Sequence, residues 1–128
     1  MAVTTSTIAD PLGTKLIIDA DSDATSENDV TSGAAGTVYA VEIDNTSNNS
    51  AVYAKLVQST NPTVGTTAPD LQLKVAASSK ETYVIGGGFA MTGLSFWTVT
   101  SPYAATGNNS NATNAPSSNV KVKILCTF

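Results

Sequence analysis

The 128-residue chain contains no histidine and no arginine, and it has a single cysteine. Without histidine, Ser-His-Asp and Cys-His catalysis and His-ligated zinc sites are excluded. Without arginine there is no guanidinium group to make bidentate hydrogen bonds with phosphate or guanine. A net charge of −4 also repels nucleic acid. One cysteine closes no internal disulfide and builds no thiolate metal cage. These absences remove most classes of intracellular enzyme, and we expect no nucleic-acid partner.

Long apolar runs and charged residues are also scarce. No segment approaches the roughly 18 consecutive apolar residues of a membrane span, and the opening MAVTTSTIADPLG lacks the basic and apolar regions of a secretory signal. Only 12% of the residues are charged, whereas 41% are hydrophobic, which is enough for one domain with a substantial core. Threonine, serine and asparagine dominate the remainder, a composition typical of short strands and polar loops. We therefore expect a single domain with no membrane association.

Apolar residues alternate with a period of two along most of the chain and predict roughly eight or nine strands. The predicted strands are residues 37–44, 51–58, 70–75, 81–85, 89–91, 94–100 and 120–128, with weaker candidates at 3–9 and 16–19. No segment carries the apolar stripe of a helix, and residues 101–119 have the composition of a long exposed loop. Such spacing predicts an antiparallel β-sandwich, jelly-roll-like, in which residues 1–36 form an N-terminal arm with weak strands and residues 37–128 the sandwich.

Alternation also predicts which side chains share a face. Residues 37–44 divide into two sets, one with Tyr39, Val41 and Ile43 and the other with Val38, Ala40 and Glu42. The last strand has the longest apolar face and should lie centrally in a sheet; that face comprises Val120, Val122, Ile124, Cys126 and Phe128. Phe96 and Trp97 must point to opposite sides of their strand, so one of them is either covered by another element or offered to a partner.

An acidic segment at residues 19–29 imitates the opening of a calcium loop through Asp19, Asp21 and Asp23. The EF-hand pattern then requires Gly at its sixth position and Glu at its twelfth, where this chain has Ala24 and Val30. A solvated loop is the preferred interpretation. Weak calcium binding outside the EF-hand pattern, helped by Glu27 and Asp29, stays open.

Three further groupings suggest chemistry and are better explained structurally. The three glycines at 86–88 complete no nucleotide-binding motif and predict a turn or bulge. Glu42 and Asp44 lie about 7 Å apart on one face, a spacing that suits glycosidases, but Asp44 ends its strand where an Asx turn is expected. Ser78 or Ser79 with Lys80 would make a Ser-Lys dyad, but these residues lie in a polar turn. With Cys126 assigned to the core, we predict no catalytic, cofactor-binding or metal-binding residues.

Several segments resemble small virion structural proteins of tailed bacteriophages, particularly phages of aquatic bacteria. The resemblance lies in residues 28–75 and 82–100, and its recurrent features are VEIDNT at 41–46, AVYAKL at 51–56, TVGTTAPDLQLKV at 63–75 and TGLSF at 92–96. Membership of such a group implies an all-β protein that decorates or joins parts of the particle. It carries no catalytic motif.

From this resemblance we expect a capsid decoration or cement protein that bridges capsid subunits. Its partners would be the major capsid protein and copies of itself, as a symmetric oligomer such as a trimer, with contacts through residues 1–36 or the 101–119 loop. It would be made in the host cytoplasm and reside on the capsid surface, with no small-molecule substrate. A neck, tail or fibre accessory protein is the first alternative. A carbohydrate-binding module that uses Trp97, Tyr53 and Tyr103 is the second.

Overall fold

Short alternating runs rich in valine, isoleucine, leucine and threonine fold into strands in this computed structural model, which describes residues 12–106 and 109–128. Seven strands occur in that part of the chain: β1 Lys15–Ser22, β2 Ala35–Asp44, β3 Val52–Gln58, β4 Leu71–Val75, β5 Lys80–Thr92, β6 Leu94–Val99 and β7 Val120–Thr127. The described loop between β6 and β7 contains a single turn of 3-10 helix, Ser110–Thr113. The weaker strand candidate at 16–19 lies within β1, whereas the candidate at 3–9 lies outside the described residues.

The strands form two antiparallel sheets that pack face to face. One has the order β1-β7-β2-β5 and the other β4-β3-β6, and every neighbouring pair is antiparallel. The predicted antiparallel β-sandwich is therefore confirmed. A jelly roll has eight strands in two Greek keys, and the seven described strands do not establish that arrangement. The predicted division at residue 36 falls inside β2, and β1 is hydrogen-bonded into the four-stranded sheet.

The last strand lies in the interior of its sheet, as its apolar alternation predicts. β7 pairs with β1 on one side and with β2 on the other. Its inward side chains, Val120, Val122, Ile124 and Cys126, are completely buried. In the main core they pack against the inward side chains of β3 and β6 from the opposite sheet.

A β-bulge in β2 changes the predicted faces of that strand. Val38 pairs with Cys126 and Ala40 with Leu125, so one residue of β2, Tyr39, has no counterpart in β7. The bulge shifts the alternation by one residue, and Val38 joins Val41 and Ile43 in the core. The sequence-based grouping of Val38 with Ala40 and Glu42, opposite Tyr39, Val41 and Ile43, was wrong for this reason.

The three glycines extend the same irregularity into β5. The prediction of two strands separated at the glycines was wrong, because β5 runs without a break from Lys80 to Thr92. The bulge that the glycines predicted as the alternative to a turn is present. Residues 85–88 of β5 lie between the pairs Ala40 with Val84 and Val38 with Phe89, opposite Tyr39 alone. Gly88 has a φ of 78°, and a Cβ there would lie 2.2 Å from Cγ2 of Thr37. The positive φ and the close contact with the Thr37 side chain both favour glycine at this position.

β6 and most of β3 are buried on both faces of the three-stranded sheet. Phe96 points into the main core and Trp97 to the opposite side, as predicted, where Val57 and Val99 surround it. Ala24 and Val64 cover this second cluster. Trp97 is therefore covered by the chain's own loops, which rules out the other alternative, exposure to a partner.

Residues 23–30 line the free edge of β6. Backbone hydrogen bonds of 2.8 Å run from Thr98 N to Asp23 O, from Glu27 N to Phe96 O and from Val30 N to Leu94 O. These bonds satisfy edge groups that would otherwise be available to another strand. The acidic segment therefore has a structural role along β6, and sequence alternation does not signal it.

We expect Ile124→Asp to unfold the domain, because Ile124 is completely buried in the central strand. The substitution removes about 1.5 to 3 kcal/mol of apolar burial and adds an unpaired buried charge. Lys121→Ala, on the outward side of the same strand, is the matched control. Thermal unfolding followed by circular dichroism checks both variants. A midpoint for Ile124→Asp within a degree or two of wild type would show that β7 is not a core strand.

Candidate interaction surface

The carboxylates of the acidic segment are used locally. Asp19 Oδ1 accepts a hydrogen bond from the Asp21 amide at 3.1 Å, and Asp23 Oδ1 accepts one from the Thr25 amide at 2.7 Å. Among residues 12–106 and 109–128, no group of three or more His, Cys, Asp or Glu side chains is placed to hold a metal ion. The open calcium interpretation gains no ligand cluster from the structure.

Asp19 differs from the solvated residue that the sequence suggests. It faces inward from β1, and its Oδ2 atom is buried without a hydrogen-bond partner. Burial raises the pKa of this carboxyl, and the negative charges of Glu27 and Asp21 raise it further. Asp19 is therefore a destabilising group at neutral pH.

The two carboxylates of β2 point outward from the four-stranded sheet. Glu42 Oε1 lies 3.7 Å from Lys123 Nζ. Asp44 accepts hydrogen bonds from the Thr46 hydroxyl and amide, which form the expected Asx turn and lower the pKa of Asp44. A glycosidase needs one carboxylic acid with a raised pKa, whereas the pKa of Asp44 is lowered.

The other candidate nucleophiles are also engaged elsewhere. The Ser79 hydroxyl donates to the Ala77 carbonyl and the Ser78 hydroxyl to the Asn48 carbonyl, so neither bonds to Lys80. Cys126 is buried in the core, and burial raises the pKa of its thiol, which keeps it protonated and unreactive.

Two buried asparagines, which sequence reasoning missed, hold the loops at one end of the sandwich. Asn45 Nδ2 donates to the carbonyls of Ser50 and Ala76, at 2.9 and 3.0 Å. Asn48 exchanges hydrogen bonds of 2.7 and 2.9 Å with the backbone of Ser118. A pocket of about 450 Å³ opens beside Asn48, and its lining contains no aromatic or ionisable side chain. We assign these residues to loop anchoring.

Lys55 lies beneath the loops that cover the three-stranded sheet. It pairs with Trp97 in the β3–β6 register, and both side chains are 1% exposed. Burial lowers the pKa of Lys55 to about 8. The Trp97 indole Nε1 has no hydrogen-bond partner. Since Trp97 is enclosed, the aromatic platform that a carbohydrate-binding module needs loses its largest member.

Exposed apolar side chains lie on the outward side of the four-stranded sheet, which we call the outer sheet face. Leu16 pairs with Leu125, Leu125 with Ala40 and Ala40 with Val84, so one apolar residue from each strand forms a row. Leu16 is 55% exposed and Val84 72%. Ile18, next to Leu16 on the same side of β1, is 54% exposed. Contiguous apolar surface of this kind marks interaction sites in soluble proteins.

Next to the apolar row, the outer sheet face carries lysines on one central strand and carboxylates on the other. Lys121 and Lys123 project from β7, whereas Glu42 and Asp44 project from the neighbouring β2. The register places Lys123 beside Glu42 and Lys121 beside Asp44. The outer sheet face therefore combines an apolar row with one positive and one negative central strand.

Comparisons with known proteins identify no relative: no family model matches the chain, and neither does any curated protein or solved structure. Within the described ranges, no helix has the length and apolar character needed to cross a membrane. The chemical character of the described surface therefore carries the functional argument, together with the resemblance noted from the sequence.

We expect Lys55→Met to raise the melting temperature at neutral pH, because it removes a charge that is costly to bury. Wild type should gain stability as the pH rises from about 8 to 10.5, since the folded state loses the Lys55 proton first. The advantage of the variant should shrink across this window. Melting curves over this pH range, with exposed Lys74→Met as control, measure the effect. An advantage that does not vary with pH would contradict a depressed Lys55 pKa.

Asp19→Asn should also raise the melting temperature at neutral pH. The raised carboxyl pKa means that the folded state prefers neutral Asp19, so the destabilisation is complete at pH 7 and disappears below the ordinary value of 3.8. The gain should therefore fall as the pH is lowered. Exposed Glu81→Gln serves as the control in the same melts. A gain that grows on acidification would have the wrong sign for this explanation.

Proposed function

We propose that this chain is a non-enzymatic structural protein of a tailed bacteriophage particle, a capsid decoration or cement protein that bridges capsid subunits. The observation that carries the proposal is the outer sheet face. A row of exposed apolar side chains on a rigid sheet supplies a preorganised surface for a protein partner. Stabilisation of the particle would then come from buried interface area.

The state of the candidate chemical groups supports the same proposal. The carboxylates, hydroxyls and thiol considered above take part in turns, loop anchors, a surface ion pair or the core. A scaffold that holds its polar groups in structural hydrogen bonds suits a protein that works by association. The segments that resemble phage virion proteins contain β2, β3, β4, most of β5, and β6, which form much of the sandwich.

Particle contacts have two further candidate locations in this proposal. The 101–119 loop is tied down at its ends, where Thr100 N bonds to Asn114 O and Asn48 to Ser118. Much of residues 1–36 belongs to the sandwich or lines β6, which leaves the segment before β1 as the remainder of the predicted arm.

A neck, tail or fibre accessory protein would use the same surface, and copy number separates it from a decoration protein. We expect the chain in density-purified particles at a copy number comparable with the major capsid protein, measured by quantitative gel densitometry. A count limited to one ring of subunits would favour the accessory role. Failure to find the chain in purified particles at all would refute the virion proposal.

The outer sheet face itself is tested by adding back protein to particles that lack it. The double variant Leu16→Lys with Val84→Lys should be retained less than wild type after sedimentation, because it places charge in the apolar row. Thr66→Lys, an exposed substitution in the loop before β4, is the matched control and should be retained like wild type. Equal retention of the double variant would show that binding to the particle does not depend on the outer sheet face.

A further inference from the structure

The charge pattern of the outer sheet face identifies its occupant. We infer that this face binds a second copy of the same chain, across a two-fold axis that runs parallel to the strands between β7 and β2. The inference rests on the proposed function, in which the chain acts by protein association. It assigns the outer sheet face to the pairing of two copies, which leaves the other surfaces of each pair for contact with the capsid.

The first argument is the separation of charge between the two central strands. β7 presents Lys121 and Lys123 outward. β2 presents Asp44 and Glu42 outward at the positions paired with them, Asp44 beside Lys121 and Glu42 beside Lys123. Both lysines therefore lie on one side of the proposed axis and both carboxylates on the other. Within one chain they are already neighbours, with Lys123 Nζ 3.7 Å from Glu42 Oε1.

Rotation about this axis exchanges β7 and β2 when two outer faces meet. Lys123 of each copy then lies over Glu42 of the other, and Lys121 over Asp44. The two ion pairs at each position along the strands make a square of alternating charges. Opposite charges are neighbours along all four sides, and like charges lie only across the longer diagonals, so the arrangement is favourable. An axis perpendicular to the strands would instead stack β7 on β7 and β2 on β2. No lysine would gain a carboxylate in that arrangement.

The same two-fold axis brings the apolar rows of the two copies into contact. The rotation exchanges β1 with β5, so Leu16 of one copy approaches Val84 of the other, and Leu125 approaches Ala40. These side chains belong to one register row. Stacked sheets pack about 10 Å apart with interdigitating side chains, and the exposed Leu16 and Val84 would lose much of their contact with water.

Self-complementarity of this kind favours a second copy over an unrelated protein. An isologous contact requires one surface to carry both members of every contacting pair, and the outer sheet face carries lysine with carboxylate and leucine with valine or alanine. A two-fold contact also predicts a dimer as the basic unit, in contrast to the trimer expected from the sequence.

Two charge-reversal variants test the contact in solution by sedimentation velocity of the full chain, from micromolar to millimolar protein. Wild type should show a concentration-dependent dimer. K123E and E42K should each weaken self-association by about tenfold or more, because the two-fold symmetry places two like-charged pairs in every dimer. Both substitutions avoid Asp44, whose carboxylate holds the turn at Thr46. Melting curves confirm folding, since an exposed ion pair contributes little to stability.

A mixture of K123E and E42K tests most directly whether the two residues meet across the dimer contact. A K123E copy facing an E42K copy regains opposite charges in both contacts between positions 123 and 42, so an equimolar mixture should form the dimer that neither variant forms alone. An effect confined to one chain cannot produce this rescue. Val84→Lys should abolish the dimer, whereas Thr66→Lys should leave it unchanged.

Three results would overturn the inference: a wild type that stays monomeric over the whole range, a trimer, or variants that fail to associate on mixing. Deletion of residues 1–11 is included as a further arm. A dimer that appears only after this deletion would mean that residues 1–11 of the same copy occupy the outer sheet face in the full chain. That result would also overturn the inference. Protein that is monomeric in solution yet abundant in purified particles would retain the proposed function and reject the dimer. A dimer absent from particles would do the reverse.

Discussion

The position of β7 between β1 and β2 is the constraint on which the rest of the structure depends. Its inward residues, Val122 and Ile124 among them, are fully buried, and its outward residues Lys123 and Leu125 belong to the outer sheet face. Because successive side chains alternate across a strand, one register determines both the core and the surface. A slip of one residue would expose the core row and bury the lysines.

The bulge at Tyr39 belongs to the same constraint. It lets β2 keep Val38, Val41 and Ile43 in the core while β7 continues without interruption. β5 accommodates the same irregularity through its glycine run at 86–88. The side chain of Thr37 leaves little room for a Cβ at Gly88. The irregularity therefore occurs at a defined place and affects three neighbouring strands of the sheet.

Sequence alternation predicted the strand positions of β3, β4, β6 and β7 and the opposite orientation of Phe96 and Trp97, because these depend on local period alone. It could not predict the bulge, since an extra residue in one strand is visible only against its partner. Strand order is equally non-local. The apolar row joins Leu16, Leu125, Ala40 and Val84 from distant parts of the chain, and only the pairing of four strands brings them together. The roles of Asn45 and Asn48 also depend on carbonyls from other loops.

The polar groups of this chain mostly have structural roles. Residues that suggested chemistry in the sequence are engaged in turns, edge pairing or loop anchoring, as with Asp44 and Ser79. Two buried groups, Asp19 and Lys55, are costly to the fold at neutral pH, since burial acts against the charged form of each. The stability of the sandwich must exceed those costs, and the main core between the sheets is its principal source.

A map of the phage particle in which this chain is located tests the central claim most directly, namely that the outer sheet face is its working surface. The expected result is paired copies on the particle, with their β1-β7-β2-β5 sheets facing each other and the β7 strand of each over the β2 strand of its partner. A map in which every outer sheet face is open to solvent, with all contacts made through other surfaces, would contradict it.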